Sequence, residues 1–183
     1  MGSRYEIRLG GSGGQGIILM GIILAEAIGI YDGKFVAQTQ SYGPEARGGA
    51  TRADVIISDR PIRFPKVNQP NVLICLTQEA YNKFSGTIRP GGLLLTDSHF
   101  VKSERKVDAR HVGLGMYRAV MDGIGKAVVF NICTLGALIG LTHVISKESI
   151  LRVLETKIPA GFLEMNTKAF EIGLRLVENS PVK

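Results

Sequence analysis

The sequence has few of the residues that build metal sites or disulfide frameworks: two cysteines, three histidines and no tryptophan among 183 residues. Cys75 and Cys133 each lie in an apolar run and have no CxxC partner, which excludes a disulfide scaffold and indicates buried thiols. We therefore expect no iron–sulfur or zinc ligand set in this chain and predict no metal site. The cysteine usage indicates a reducing, cytoplasmic location.

Long hydrophobic runs are also lacking. The longest, from Ala127 to Leu141, is interrupted by Asn131 and Thr134 and is shorter than the roughly 20 residues that a membrane helix needs. The first ten residues lack the basic and apolar regions of a signal peptide. Neither a membrane span nor secretion is expected.

No run of lysine and arginine occurs, although the chain carries 22 basic and 16 acidic residues and a net charge of +6. Dispersed cations with few aromatic residues beside them argue against nucleic-acid binding and indicate a solubilising surface. A weaker interpretation is that some of this charge attracts an anionic ligand or an acidic partner such as an electron carrier. With 45% hydrophobic residues, the chain is predicted to bury one core in one domain.

Alternating strand and helix patterns predict an α/β fold. A strand at 5–9 runs into a glycine-rich turn and an apolar helix to Ile30, and the strand at 34–40 is predicted to close a βαβ unit. Further strands are predicted at 51–58, 71–76 and 92–96, a short helix at 78–84, and helices at 116–123, 131–144, 147–157 and 165–177, whereas 101–112 is ambiguous. These patterns favour a mostly parallel sheet flanked by helices, with a helical C-terminal third.

Three features refine the helical third. Ser146 is predicted to cap the helix at 147–157, and Pro159 with Gly161 is predicted to separate two helices. Phe170, Leu174 and Val177 share one stripe, which indicates packing rather than ligand contact. In contrast to these packing positions, Asn131 is a polar group in an apolar run, and it must find a hydrogen-bond partner. A buried backbone contact is the favoured role for Asn131, with capping or bridging as alternatives.

Gly11, Gly13 and Gly16 form a G-x-G-x-x-G pattern between a strand and a helix. Such glycines let the backbone approach a phosphate, and the N-terminus of the following helix favours an anion. The alternative is a tight turn packed against a partner. A dinucleotide site would also need a carboxylate at the end of the second strand, and residues 36–40 contain none, so NAD or NADP binding is disfavoured.

No catalytic residue is predicted. The glycines are not followed by the lysine of a phosphate-binding ATPase loop, and Ser12 has no identifiable base or orienting partner. His99, His111 and His143 lie far apart, without metal-ligand spacing, and His143 is expected to pack in an apolar helical run.

The loop Ser41 to Gly49 is dense in glycine and proline around a single cation, Arg47. Its guanidinium could hold a phosphate or carboxylate with two hydrogen bonds, oriented by Tyr42 and Glu45. An ion pair with Glu45 or an interface contact is equally compatible with the pattern.

Four motifs, taken in order, carry a resemblance to a known family. They are GSGGQG at 11–16, SYGPEARGG at 41–49, Asn131 with LGAL at 135–138, and Asn166 with Ala169-Phe170. The chain resembles the gamma subunit of 2-oxoacid:ferredoxin oxidoreductases over nearly its whole length, and the GPEARGG form is most similar to the 2-oxoglutarate branch. One departure is Gly125-Lys126, where the family often has Gly-Asn.

The resemblance implies a Rossmann-like α/β domain over residues 1–183, docked on the alpha subunit of a complex that also has beta and delta subunits. The complex would convert 2-oxoglutarate and coenzyme A to succinyl-CoA and CO2 and pass electrons to ferredoxin. Thiamine diphosphate, Mg2+ and [4Fe–4S] clusters would belong to the partner subunits. We expect the isolated chain to be inactive and able to form a homodimer. The residues predicted to face coenzyme A or the alpha subunit are Gly11, Ser12, Gly13, Gly14, Gln15, Gly16, Tyr42, Gly43, Glu45, Arg47, Gly48, Gly49 and Asn131.

Three alternatives stay open at the level of sequence. The same subunit could serve pyruvate, 2-oxoisovalerate or indolepyruvate as substrate. The chain could also be a stand-alone nucleotide-binding enzyme, which the missing ribose carboxylate disfavours, or a purely structural interaction domain.

Overall fold

The computed structural model describes residues 4–41, 49–104 and 106–180. Six strands and six helices follow one another in these residues, and the predicted α/β class is confirmed. The strands are β1 (Arg4–Gly11), β2 (Phe35–Ser41), β3 (Thr51–Ser58), β4 (Val72–Cys75), β5 (Gly92–Asp97) and β6 (Ala109–Leu114). The helices are α1 (Ile17–Glu26, extended by a π-helical turn Ala27–Tyr31), α2 (Gln78–Phe84), α3 (Met116–Gly123), α4 (Phe130–Thr142), α5 (Lys147–Lys157) and α6 (Ala160–Glu178).

The strands form one sheet in the order β2-β3-β1-β4-β5-β6. Strand β3 is antiparallel to both of its neighbours, and the pairs β1–β4, β4–β5 and β5–β6 are parallel, so five strands share one direction. The sheet is therefore mostly parallel, as predicted. The first βαβ unit differs from the prediction, because β3 lies between β1 and β2 instead of leaving them as neighbours.

Helices cover the two faces of the sheet unequally. One core joins the β1 residues Ile7 and Leu9 to α1 and the C-terminal helices, and a smaller core joins Leu73 and Cys75 of β4 to α2 on the opposite face. The chain leaves β1 through α1 towards β2, but it leaves β4 through α2 towards β5. The carboxyl ends of β1 and β4 thus flank the point where the strand order reverses, which is where open α/β sheets bind ligands.

The predicted helix boundaries hold for α2, α3 and α5, and Ser146 caps α5 by accepting a hydrogen bond from the Ser149 amide at 3.2 Å. The start of α6 was predicted wrongly. Pro159 lies between α5 and α6 as predicted and stands at the N-cap of α6, whereas Gly161 lies inside the first turn of α6. Proline is tolerated at a helix start because no intrahelical hydrogen bond is lost there.

The prediction for His143 is also wrong. The residue is exposed and ends α4 in the left-handed conformation at φ 47°, so it does not pack in the helix. The ambiguous region 101–112 contains most of β6, which pairs with β5. Both cysteines are buried, and Phe170 is fully buried with Leu174 and Val177 packed against the same core, as predicted.

Helices α4 and α6 cross at very short range because glycines face each other. A Cβ atom on Gly136 would overlap the Phe170 carbonyl oxygen, and one on Gly173 would overlap the Cys133 carbonyl oxygen. This crossing brings the backbones of α4 and α6 into direct contact. In the described residues no helix is long and apolar enough to cross a membrane.

Candidate functional site

The turn between β1 and α1 is built by two glycines in the left-handed region. Gly14 has φ 84° and Gly16 has φ 72°, a conformation that only glycine adopts without strain. Gln15 closes the turn, because its Oε1 accepts from the Ser12 amide at 2.8 Å and its Nε2 donates to the Leu76 carbonyl at 3.5 Å. Gln15 is therefore a positioning residue that ties the turn to the end of β4.

The turn leaves the N-terminus of α1 open. Gly16 provides no side-chain cap, the first turn has no acidic residue, and the first intrahelical bond runs from the Met20 amide to the Gly16 carbonyl at 3.0 Å. The three preceding helical amides thus have no intrahelical acceptor, and they favour an anion. A cavity of about 280 Å³ lies over them and is lined by Ser12, Gly13, Gly14, Gly16, Ile17, Ile18, Leu19 and Thr51.

Asn131 joins a second helix N-terminus to this turn. It is the second residue of α4, is only 4% exposed, and its Oδ1 accepts a hydrogen bond from the Ile132 amide at 2.9 Å. This bond to the backbone matches the favoured prediction for Asn131. It also orients the side chain, so that Nδ2 lies against Gly16, where a Cβ atom would overlap it.

The Asn131 Nδ2 group forms no hydrogen bond with any described residue. Asn131 lines a second cavity of about 250 Å³ that shares Leu19 with the first, so its amide group is available to donate to a molecule bound there. The walls of this second cavity are mostly apolar and comprise Leu19, Val128, Val129, Asn131, Ile158, Pro159, Phe162, Met165 and Asn166. The two cavities together offer amide donors for an anion beside an apolar surface.

An aromatic cluster continues the site along the carboxyl edge of the sheet. The ring of His99 stacks on Tyr117 with centroids 5.0 Å apart, and Tyr117 meets Phe130 edge-on at 5.7 Å. His99 was considered above only for its lack of metal-ligand spacing, and this cluster was not predicted. The rings converge only through tertiary packing, so no spacing in the sequence signals them.

Asp97 links the end of β5 to the start of α3 by hydrogen bonds. It is fully buried at the end of β5, and its oxygens accept from the amides of His99 at 2.9 Å and Tyr117 at 2.8 Å. Burial raises the pKa of the Asp97 carboxyl, and these amide hydrogen bonds partly offset the rise. Asp97 was not predicted as a site residue, although a carboxylate directly after a buried apolar strand is a usable signal.

The cysteines do not fit a cluster site. Burial raises the pKa of the Cys75 thiol and of the Cys133 thiol to about 12, so neither is a thiolate near neutral pH. The two residues also belong to separate cores on opposite faces of the sheet. No group of three histidine, cysteine, aspartate or glutamate side chains in the described ranges is placed to hold a metal.

The predicted site residues divide into two groups. One group forms the glycine turn, in which Gly16 lies against Asn131, and Gly49 stands two residues before Thr51, which pairs with Gly11 in the sheet; the turn residues are Gly11, Ser12, Gly13, Gly14, Gln15 and Gly16. The other predicted residues lie outside the described residues; they are Tyr42, Gly43, Glu45, Arg47 and Gly48. Strand β3 also separates β2 from β1, so the end of β2 does not lie beside the glycine turn, where a ribose-binding residue would stand. This strand order further disfavours dinucleotide binding.

The model of the pyruvate ferredoxin/flavodoxin oxidoreductase family matches residues 6–176. The chain belongs to this family. It is 46% identical over 177 residues to the 2-oxoglutarate synthase subunit KorC of Methanocaldococcus jannaschii, with 96% of this chain and 95% of that protein covered. The predicted resemblance to a gamma subunit of the oxidoreductases is confirmed.

Two solved structures of the oxidoreductase family share the fold. The gamma subunit of a keto/oxoacid ferredoxin oxidoreductase from Geobacter sulfurreducens is 43% identical with a TM-score of 0.87 and covers 96% of this chain and 99% of that one. The 2-oxoglutarate:ferredoxin oxidoreductase of Magnetococcus marinus, solved with 2-oxoglutarate, coenzyme A and succinyl-CoA bound, is 25% identical with a TM-score of 0.87. The match covers 98% of this chain but 32% of the longer Magnetococcus chain.

Gly16→Ala is expected to lower the free energy of unfolding by about 2 kcal/mol, because alanine is strained at positive φ and its Cβ displaces the Asn131 amide. Urea unfolding measures the change. Gly13→Ala is the matched control, since nothing lies within 4 Å of a Cβ there and its φ is not positive. Equal stabilities of the two variants would contradict this role of Gly16.

Proposed function

We propose that this chain is the gamma subunit of a 2-oxoglutarate:ferredoxin oxidoreductase. The observation that carries the proposal is the near full-length match to the 2-oxoglutarate synthase subunit KorC, at 46% identity. The reaction would convert 2-oxoglutarate, coenzyme A and two oxidised ferredoxins to succinyl-CoA, CO2, two reduced ferredoxins and one proton released from the coenzyme A thiol. In this proposal residues 1–183 act as one gamma-type domain.

The described residues support a binding role within that reaction. The glycine turn supplies free amides at the start of α1, and Asn131 supplies a donor at the start of α4, but no nucleophile with an adjacent base accompanies them among the described residues. Coenzyme A carries anionic phosphates, which suit these donors, and a pantetheine arm of methylenes and amides, which suits an apolar cavity lined by Asn131 and Asn166. The chain would position coenzyme A while other subunits perform the chemistry.

The redox cofactors are assigned to partner subunits in this proposal. Thiamine diphosphate, Mg2+ and [4Fe–4S] clusters would supply the decarboxylation and electron-transfer chemistry there. Two buried cysteines on opposite faces of the sheet are compatible with this division, because a cluster needs several thiolates together. We propose alpha, beta and delta subunits as the partners, with ferredoxin as the electron acceptor. Arg47 and its loop remain predicted contacts of coenzyme A or of the alpha subunit.

Asn131→Asp is the variant that tests the coenzyme A site. Aspartate keeps the acceptor for the Ile132 amide but replaces the Nδ2 donor by a negative charge facing the anion. One hydrogen bond to a charged group contributes about 1.5–3 kcal/mol, so the apparent KM for coenzyme A should rise roughly ten- to a hundredfold. The KM for 2-oxoglutarate should not change. The measurement is ferredoxin reduction by the complex purified with its partner subunits under anaerobic conditions.

The control variant is Asn179→Asp, which makes the same charge change at an exposed position after α6. It should leave both KM values unchanged. Assays with 2-oxoglutarate, pyruvate, 2-oxoisovalerate and indolepyruvate should show the highest kcat/KM for 2-oxoglutarate. Absence of coenzyme A-dependent activity with all four acids would refute the proposed function, and an unchanged KM in Asn131→Asp would refute the proposed site.

A further inference from the structure

The connection between β3 and β4, residues 59–71, is held in one conformation by arginines outside it. Arg4 donates from Nη1 to the Phe64 carbonyl at 2.9 Å and from Nη2 to the Lys66 carbonyl at 2.8 Å. Arg8 donates to the Val67 carbonyl at 2.8 Å, and Arg89 donates to the Gln69 carbonyl at 3.2 Å. We call these 13 residues the tethered loop; they contain Pro61, Pro65 and Pro70, which restrict the backbone further.

The tethered loop presents an aromatic ring and three cations to the surface. Phe64 is 59% exposed, and the side chains of Arg60, Arg63 and Lys66 are also exposed. These three cations form no ion pair with any residue in the described part of the chain, and Asp59 is the single acidic residue of the loop. The loop therefore carries positive charge around an exposed apolar centre.

The tethered loop and the glycine turn lie at opposite ends of strand β1, so they are on opposite sides of the sheet along the strand direction. Strand β1 begins at Arg4, which pairs with Ser58 next to the loop, and it ends at Gly11 beside the glycine turn. Eight residues of extended strand span roughly 25 Å. A partner bound to the tethered loop would leave the carboxyl edge of the sheet open.

We propose that the tethered loop is the docking surface for an acidic surface of another subunit of the complex. Aromatic and arginine side chains dominate the energy of protein interfaces, and a loop already held in one conformation loses little entropy on binding. The three cations, which form no ion pair within the described residues, select a partner surface rich in carboxylates, with a recess for Phe64. This inference rests on the proposed function only in that the chain acts within a complex.

The comparison with the Magnetococcus enzyme supports a partner for this fold. The matching region there is about a third of a longer polypeptide, so its counterpart is covalently joined to further structure. The Geobacter gamma subunit matches over 99% of its own chain, so further subunits can be held there only by non-covalent contact. A charged rim around an apolar centre provides orientation as well as affinity.

Charge reversal of the loop tests the proposal. The triple variant Arg60→Glu, Arg63→Glu, Lys66→Glu should weaken binding of this chain to its purified partner subunits roughly a hundredfold, and high salt should weaken wild-type binding as well. Phe64→Ala should weaken it roughly tenfold. Binding is measured by biolayer interferometry with the immobilised chain. The matched control, Arg118→Glu, Lys168→Glu, Arg175→Glu, makes the same charge change on exposed positions of α3 and α6.

Three results would overturn the docking surface. In the first, the triple loop variant binds the partner subunits with wild-type affinity and unfolds at the wild-type midpoint. In the second, the control variant loses as much affinity as the loop variant. The third is intact subunit assembly with loss only of ferredoxin turnover or of self-association. Those losses would assign the loop to the electron carrier or to a second copy.

The same samples separate this proposal from the proposed function. At subunit concentrations high enough to force assembly, the loop variant should show an unchanged apparent KM for coenzyme A, because the glycine turn lies at the other end of β1. A complex that assembles through the loop but oxidises no 2-oxoacid would refute the proposed function and leave the docking surface standing. Full activity of the loop variant at high dilution would refute the docking surface and leave the proposed function standing.

Discussion

Gly173→Ala is expected to lower the free energy of unfolding by at least about 3 kcal/mol, as the upper range of core overpacking indicates. The new Cβ would overlap the Cys133 carbonyl oxygen and lie 2.7 Å from the Ala137 nitrogen. These are backbone atoms of α4, so no side chain can rotate away and the two helices must separate. Urea unfolding followed by circular dichroism measures the loss.

Gly161→Ala is the matched control in the same helix. No atom lies within 4 Å of a Cβ at Gly161, and alanine favours the helix by up to about 1 kcal/mol over glycine. The control should therefore be neutral or stabilising. If Gly173→Ala behaved like Gly161→Ala, helices α4 and α6 would not cross at the distance described.

Asp54→Asn is expected to cost about 3–5 kcal/mol, because it leaves Arg8 charged and buried without a counter-charge. The Arg8 side chain is 5% exposed and that of Asp54 is 4% exposed; Nε and Nη2 of Arg8 donate to the two Asp54 oxygens at 2.8 and 3.0 Å. Arg8 also donates to the Thr87 hydroxyl at 3.2 Å. The loss is measured by urea unfolding.

Asp122→Asn is the surface counterpart, since its ion pair with Arg118 is 3.9 Å long and both side chains are mostly exposed. It should cost less than about 0.5 kcal/mol. The double variant Arg8→Met, Asp54→Leu should be more stable than Asp54→Asn, because it removes both buried charges. A double variant less stable than Asp54→Asn would show that the attraction within the ion pair contributes more to the free energy of unfolding than the cost of leaving Arg8 without a counter-charge.

The buried pair also links stability to the proposed interface. Arg8 donates to the Val67 carbonyl, so the same guanidinium that neutralises Asp54 holds the tethered loop against the sheet. The double variant should therefore recover stability without recovering the fixed loop. In the same interferometry assay, its affinity for the partner subunits should be lower than that of the wild type.

Local features of the fold were predictable from the sequence. The β1 turn and α1 were found because alternating residues, glycines and an apolar helix follow one another directly. The ends of α3 and α5 and the Ser146 cap of α5 were found for the same reason, since helix signals lie within four residues of each other. The order of four short motifs was enough to indicate the family that the comparisons confirmed.

Long-range features were not predictable from the sequence. The insertion of β3 between β1 and β2 depends on pairing partners far apart in the chain, and local propensity carries no information about strand order. The wrong prediction for His143 has a related cause, because the apolar pattern continues past the residue at which tertiary packing ends α4. The start of α6 was placed too late because Gly161 signals a break in isolation but lies inside the first turn, directly after the real break at Pro159.

The candidate site shows the same division. The sequence alone determined that a glycine turn precedes a helix and that Asn131 needs a hydrogen-bond partner, because both follow from residue type and immediate neighbours. Only the tertiary structure decided that Asn131 lies against Gly16, about 115 residues away in the chain, and that Asn131 lines a cavity. Two helix N-termini meet there because sheet order and helix packing bring them together, and these are properties of the whole core rather than of any segment.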